Sequence, residues 1–504
     1  MIIKNACLYD GTGNLPFVSD LLIQDGKIKK IKKNIVPEDD QIFKAEGLSL
    51  APGFINMHSH SDLEIFRNSK MEHSIRQGIT TEVVGQDGSS VAPVNENILK
   101  ELADNMSPLA GVLDKDYWWS SFEDYLNAVE EARPSIKLVS LVGHGTIRMC
   151  IMGNDKRKPS KNELKRMKDL AETCLKEGAK GMSFGLVYPP GSYAETDELI
   201  EMAEVITGFD GLIMVHMRNE GDELLNSIDE MEQIIRKTKV RMNISHLKSQ
   251  GPKNWGRLYK ALQKISELRA EGMDIGFDHY PYTAGCTGLK RVVPEWVYNE
   301  GEKGFQKRLK NITEYKRIML NTKNRIENIF GGPDRVVIVS VPFTENEWMA
   351  GRSLAYIAQK MNIPPEEAAL QILKKSPSVT ANYFSMNEKD IIEAMKSPLQ
   401  TICTDGILGV HPHPRTYASF PRVLGHYCRE NNHLSLEEAI RKMTSEPARR
   451  LRLWDRGVLR EGMVADMVLF DSDQIADSNS YDDPKVFPKG IKAVWVNGTL
   501  AYPS

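Results

Sequence analysis

A chain of 504 residues has room for a large core and a second, smaller domain. Hydrophobic residues make up 41% and charged residues 26%, with a formal net charge of -3, a balance that argues against nucleic acid or an anionic membrane as a partner. No stretch is long and apolar enough to span a bilayer, Met1-Ile2-Ile3-Lys4-Asn5 does not read as a secretion signal, and six cysteines without a CxxC pair read as reduced core thiols. Together these features predict a cytoplasmic protein.

In chain order, residues 1–35 give short alternating apolar runs broken by Asp10-Gly11 and Asp25-Gly26, which is a hairpin signal. Residues 456–500 repeat the style. Neither piece can hold a core alone, so the two ends are predicted to pair as one small β-sandwich domain (1–50 plus 455–504), with 51–454 inserted between them. That middle alternates strand and helix. Candidate strands are Leu50–Met57, Ile79–Gly85, Ile136–Val142, Lys180–Phe184, Leu212–His216, Val240–His246, Ile275–Tyr280 and Leu399–Asp405, and helical patterns such as Lys161–Lys176 and Glu220–Arg236 lie between them. Eight such strands predict an α/β fold built on a closed (β/α)8 TIM-type barrel. Residues 286–350 are too long a gap for a simple connection. They read as a lid-like insertion over the barrel mouth, although Arg335–Val341 is itself strand-like and is an alternative barrel strand.

The strand ends carry unusual chemistry. The first runs into His58-Ser59-His60-Ser61-Asp62, the second into Gln86-Asp87-Gly88, the third ends near His144, the fifth at His216, the sixth at His246 and the eighth at Asp405. In a (β/α)8 barrel these ends share one mouth. Five or more ligand-type residues at one end is hard to reach by chance with eleven histidines in the chain. His58 and His60, two apart in an extended segment, face the same side and can reach one ion. Taken singly, His216 and His246 read as core histidines; their place at the ends of apolar strands makes them ligand candidates.

Ala51-Pro52-Gly53-Phe54-Ile55-Asn56-Met57-His58-Ser59-His60 resembles the first-strand signature of the amidohydrolase superfamily. Within it, the chain is similar to the D-aminoacylases (N-acyl-D-amino-acid deacylases), nearly end to end, through Gly185–Tyr193, His216-Met217-Arg218-Asn219-Glu220, Ser245-His246-Leu247-Lys248, Tyr280-Pro281-Tyr282-Thr283-Ala284-Gly285 and His413-Pro414-Arg415. The resemblance implies a metal-dependent hydrolase that uses zinc, as one or two divalent ions. It departs from the family at Asp87, where the typical member has a metal-ligating Cys. A carboxylate can bridge two ions, but it is a harder ligand and leaves other divalent metals open. The alternative is a turn aspartate before glycine.

The expected ligands are His216, His246 and Asp87 around one ion, with His58, His60 and Asp405 facing a second. Asp62 is expected to orient one of the first histidines, and His144 to do similar work or to pack. The resemblance further implies that Lys248, Tyr280 and Arg415 hold the substrate's α-carboxylate, with Tyr282 an alternative to Tyr280 and Tyr188 a further substrate contact. Lys290 and Arg291 read more simply as solvated charges, with recognition of an acidic or polar D-side chain as the other possibility.

The expected reaction is metal-assisted hydrolysis of N-acyl-D-amino acids, with Asp405 as general base. The closest competitor is a dipeptidase that removes a carboxyl-terminal D-residue. A cyclic-amide hydrolase of hydantoinase or dihydroorotase type usually carries a carbamylated lysine ending strand four, whereas here Lys180 opens that strand. A non-catalytic scaffold would have lost several ligands. The partner expected is a small molecule, with no nucleic acid and no membrane.

Overall fold

The computed structural model describes residues 1–38, 41–100, 102–103, 106, 118–298, 301–341 and 344–503. Eight parallel strands form the barrel: Phe54–Asn56, Ile79–Val84, Lys137–Ser140 continued by Val142–Gly143, Gly181–Gly185, Leu212–His216, Arg241–Ile244, Ile275–His279 and Gln400–Ile402. Each pairs with the next in parallel register, for example Leu212 with Arg241 and Phe277 with Gln400. The ring closes where Met57 N–H donates to the Ile402 carbonyl and Ser59 bridges Gly406. Helices cover the outside, so the central strands are buried on both faces, Leu212–Val215 as a continuous apolar run and the others with buried polar residues such as Ser183 and Asp278.

The helices follow from ordinary local signals. Lys161–Lys176 starts at Ser160, whose side chain accepts from Glu163 N–H while the Glu163 carboxylate accepts from Ser160 N–H. Its buried residues, Met167, Ala171, Cys174 and Leu175, recur at helical spacing and form the stripe laid on the barrel.

The expected first strand, Leu50–Met57, is in fact two. Ser49–Pro52 pairs antiparallel with Met467–Phe470, and the barrel strand begins only at Phe54. Gly53 makes the crossing possible: a Cβ there would lie 2.2 Å from Thr80 Oγ1, and its N–H donates to the Asp466 carbonyl. The two chain ends build one eight-stranded sheet rather than two separate sheets. The bridge from Lys27 to Val464 brings its far edge back on itself, so Leu8, Leu21, Leu50, Leu469 and Trp495 share one small core.

Between the seventh and eighth barrel strands the chain leaves the barrel. Gly285–Gly288 and Val336–Ser340 both pair antiparallel with Thr380–Tyr383. Four helices, Gly301–Lys310, Ile312–Asn328, Leu354–Met361 and Pro365–Lys375, pack on this sheet around a core of its own that includes Phe305, Ile318, Ile338 and Leu373. The strand-like segment at 335–341 therefore belongs to the excursion and not to the barrel. Its closing strand is Thr380–Tyr383, 30 residues or more past 350, because that strand pairs with both others.

Candidate metal centre and active site

Short turns after the barrel strands aim the chemistry-bearing side chains inward. Asn56 Oδ1 accepts from His58 N–H and Thr404 N–H, and Asp405 N–H donates to the His58 carbonyl, tying the first and eighth strand ends together. Asp278 Oδ1 accepts from His246 N–H and fixes the sixth. Asp87, His246 and Asp405 all have left-handed backbone, at φ 56°, 36° and 46°. For a non-glycine residue this conformation costs on the order of 1–2 kcal/mol, and three such residues at one site mark a place where geometry overrides local preference.

The six expected ligand residues converge. Asp87 Oδ1 lies 3.6 Å from His58 Nε2, 3.5 Å from His216 Nδ1 and 3.6 Å from His246 Nε2. Asp87 Oδ2 lies 3.6 Å from His60 Nε2. Asp405 Oδ1 lies 3.3 Å from His60 Nε2 and 3.6 Å from His58 Nε2. The His216 and His246 ring centroids are 4.4 Å apart. Two tetrahedral ligands with bonds near 2.1 Å stand about 3.4 Å apart, so these separations are those of atoms around a common ion. His58 adjoins both the group with Asp87 and His246 and the group with His60 and Asp405.

All of these residues are buried, yet His58 Nε2, His60 Nε2, Asp87 Oδ1 and His216 Nδ1 have no hydrogen-bond partner. A buried polar atom left unpaired is costly, and a divalent ion answers four such atoms at once. The donor set, imidazole nitrogens with carboxylate oxygens, suits zinc and neighbouring divalent metals.

Glu220, four residues after His216, belongs to the same cluster. Its Oε1 lies 2.9 Å from His246 Nδ1 and its Oε2 lies 3.8 Å from His216 Nε2, in both cases the ring nitrogen facing away from Asp87. It thus sets which nitrogen of each ring stays free to ligate. The signal was its position four residues after a strand-end histidine. Lys248 Nζ donates to the same Oε1 at 2.6 Å and faces the cavity.

Other expected residues are placed differently. Arg415 is fully buried and ion-paired with Asp405 Oδ2 at 2.8 Å, with its guanidinium 4.3 Å from the Tyr280 ring centroid. Tyr280 lines the cavity, whereas Tyr282 packs at 4.9 Å against Arg422. The Tyr188 ring stands edge-on to His216 with centroids 5.1 Å apart, and its hydroxyl pairs with Thr287 Oγ1 at 3.0 Å. Asp62 Oδ1 accepts from Gly85 N–H and orients that turn rather than a histidine. His144 pairs with Glu198 at 2.9 Å, away from the cluster. Lys180 is exposed, so no lysine enters the centre from the fourth strand. Arg291, expected to be solvated, lines the cavity.

Charge is arranged to match. Burial holds the His58 imidazole down to about 3 and therefore neutral, the form that ligates. Burial opposes ionisation of Asp405, but Arg415 and His60 overcome it and keep the carboxyl well below the usual range. Burial likewise opposes the charge on Asp87, and His216 and His58 outweigh it. At His246, burial and Lys248 work against protonation, while Glu220 and Asp87 push the ring up to about 10.

The cavity over the cluster measures about 40 Å³ and meets the Glu220, Lys248, Tyr280 and Arg291 side chains. No helix among the described residues is long and apolar enough to cross a membrane.

The amidohydrolase family profile matches residues 41–314 and 381–502. The N-acyl-D-glutamate deacylase of Alcaligenes xylosoxydans xylosoxydans is 33% identical over all of this chain and 93% of the relative. The D-aminoacylase of the same organism is 31% identical over 99% of this chain and 93% of its own. The crystal structure of N-acyl-D-glutamate deacylase from Bordetella bronchiseptica, complexed with zinc and a phosphonate mimic of the tetrahedral intermediate, superposes with a TM-score of 0.87. It is 32% identical and covers 100% of this chain and 96% of that one. With its barrel, its strand-end histidines and carboxylates and this end-to-end similarity, the chain belongs to the amidohydrolase family.

Proposed function

We propose that this chain hydrolyses the amide bond of N-acyl-D-amino acids, releasing a carboxylic acid and a free D-amino acid. One or two divalent ions, zinc foremost, would be held by His58, His60, Asp87, His216, His246 and Asp405. The observation that carries this is the set of buried, unpartnered ring nitrogens and carboxylate oxygens 3.3–3.6 Å apart at the barrel mouth. Asp87, with one oxygen toward three histidines and the other toward His60, is disposed to bridge. A divalent ion in such a site acidifies water and polarises a carbonyl.

The chain's own residues supply the rest. Asp405, kept ionised by Arg415, takes the proton from the attacking water and passes it to the departing nitrogen as the C–N bond breaks. Lys248 and Tyr280 receive the substrate's α-carboxylate at the cavity wall, with Arg415 behind Tyr280 and Asp405. Tyr188 closes the opposite side against His216. Arg291 favours an acidic D-side chain. Its nearest carboxylate is Glu295 at 3.9 Å, which leaves the guanidinium available to a ligand. The relatives alone do not select this preference, since D-glutamate deacylase and D-aminoacylase match almost equally well.

In this reading residues 51–454 form the hydrolytic unit, and 1–50 with 455–504 the small β domain that supports it. Six free cysteines suit a reducing, cytoplasmic setting. The test is a rate comparison on zinc-loaded protein with N-acetyl-D-glutamate, N-acetyl-D-leucine, their L-enantiomers, L-alanyl-D-glutamate and a hydantoin. The reading expects the D-acyl compounds to lead, D-glutamate first, with the L-forms at least about 100-fold slower, since an inverted centre leaves the carboxylate clamp unpaired. Preference for the dipeptide or the ring would overturn it.

A further inference from the structure

Beside the cavity over the ligand cluster lies a second cavity of about 1010 Å³, between the barrel mouth and the excursion, and Tyr188, Thr287 and Arg291 line both. The inner space, at about 40 Å³, has room for the reacting groups but not for a long substituent. A larger acyl group has to extend beyond it, and the second cavity adjoins it at those three side chains.

The outer cavity is strongly cationic in a chain whose net charge is -3. Lys303, Lys307 and Lys310 line one wall, all from the helix Gly301–Lys310, and their spacing of four and three puts them on one face. Like charges so placed weaken a helix. The helix dipole favours Lys310 in the last turn, but it disfavours Lys303 in the first. None of the three makes an ion pair among the described residues. Lys100 and Lys290 line it as well, and Arg325, a further lining residue, donates to the Arg291 carbonyl. Against these cations stand Glu295 and Glu302. Burial, and next the nearby Arg291 charge, lower Arg325 to about 10 against the opposing pull of Glu295.

We infer that this outer cavity is the acyl-group subsite and that the acyl group it takes is polyanionic: a polycarboxylic acyl chain with two or more free carboxylates of its own, amide-linked to the D-residue. The inference rests on the deacylase reading and names its substrate class. The reaction is unchanged: water adds to the acyl carbonyl, the C–N bond breaks, and the D-amino acid leaves with a proton on nitrogen while the acidic chain leaves as its carboxylate. A polyanion held along the lysine face neutralises the like charges there, and the cavity's field speeds its capture.

The test holds the D-residue constant and varies the acyl part. Zinc-loaded protein is given N-acetyl-D-glutamate, a tricarballylyl-D-glutamate whose acyl chain keeps two free carboxylates, and the neutral diamide of that acyl chain, of equal length, on D-glutamate. The acidic chain is expected to exceed the neutral one in kcat/KM by about 10-fold or more at low salt, with the gap closing toward about 0.3 M salt as screening sets in. Reversing the wall charge with Lys303→Glu, Lys307→Glu and Lys310→Glu together should abolish the acidic advantage while leaving N-acetyl-D-glutamate within about 2-fold. The triple glutamine variant, which removes the charge without repulsion, should lose most of the advantage and guards against misfolding of the first. Failure to cleave any N-acyl-D-amino acid would overturn the deacylase reading. Cleavage of N-acetyl-D-glutamate with equal rates on the acidic and neutral chains would overturn the subsite alone.

Discussion

At the scale of single residues, the centre depends on carboxylates with different partners. Asp405 is paired through Oδ2 to Arg415 and offers Oδ1 to the two histidines of the first strand. Asp405→Asn keeps the size and loses the ability to take a proton. It is expected to fold, to retain the ion at His216 and His246, and to lose about two to four powers of ten in kcat; metal content and rate are measured on the same sample, and an unchanged kcat with metal present would remove Asp405 from the base role. Glu220 meets the His216 and His246 nitrogens that face away from Asp87 and also accepts from Lys248 Nζ, so Glu220→Gln should weaken metal binding by about 10- to 100-fold, read by competition with a chelator, and raise KM through the loosened Lys248, with kcat at saturating metal and substrate much less affected. His246 gives a pH signature. In metal-free protein its folded value is raised to about 10, so its contribution to stability is complete below the unfolded value of about 6.5 and is lost as pH rises through about 10. Metal-free protein should therefore lose Tm between these limits. Loading with an ion, which takes the place of the proton, should flatten the slope, and parallel slopes with and without metal would argue against His246 as a ligand.

At the scale of elements, His144, Arg148 and Glu198 show how a strand-end histidine can be structural. Arg148 and His144, from the helix His144–Met152, clamp Glu198 of the helix Thr196–Gly208, and all three are buried. Glu198→Gln leaves Arg148 buried without its counter-charge and should cost about 3–5 kcal/mol in denaturant unfolding. Burial opposes ionisation of Glu198, and His144 and Arg148 bring its carboxyl below the ordinary value, so the contribution is full above about pH 4.3 and falls away as pH drops below that toward the folded value. In Glu198→Gln this acid-limb loss should shrink. The same comparison shows what the sequence makes legible. The eight barrel strands stand out because each is an apolar run bounded by turn residues, and the ligands because each follows such a run. Glu220, the Arg415–Asp405 pairing and the choice of Tyr280 over Tyr282 depend on side-chain direction after the strand has ended, which periodicity does not encode. The split at Gly53 depends on a contact with Thr80, and the closing strand of the excursion on pairing across more than 40 residues.

At the scale of the molecule, the barrel is a frame in which five of eight strand ends carry the proposed ligands, and the excursion with its own core walls the second cavity. An ion that binds the folded chain and not the unfolded one adds stability by mass action, about 4 kcal/mol at a thousandfold excess over its dissociation constant, so chelation should lower Tm and abolish activity together, and readdition of zinc should restore both. The most direct measurement is the rate of D-amino acid release from N-acetyl-D-glutamate by one protein preparation, first stripped of metal and then titrated with zinc, beside the L-enantiomer. The account predicts no release without metal, activity that appears with the first equivalents of zinc, and selectivity for the D-form of at least about 100-fold. Undiminished activity in the stripped protein, or equal rates on the two enantiomers, would contradict it.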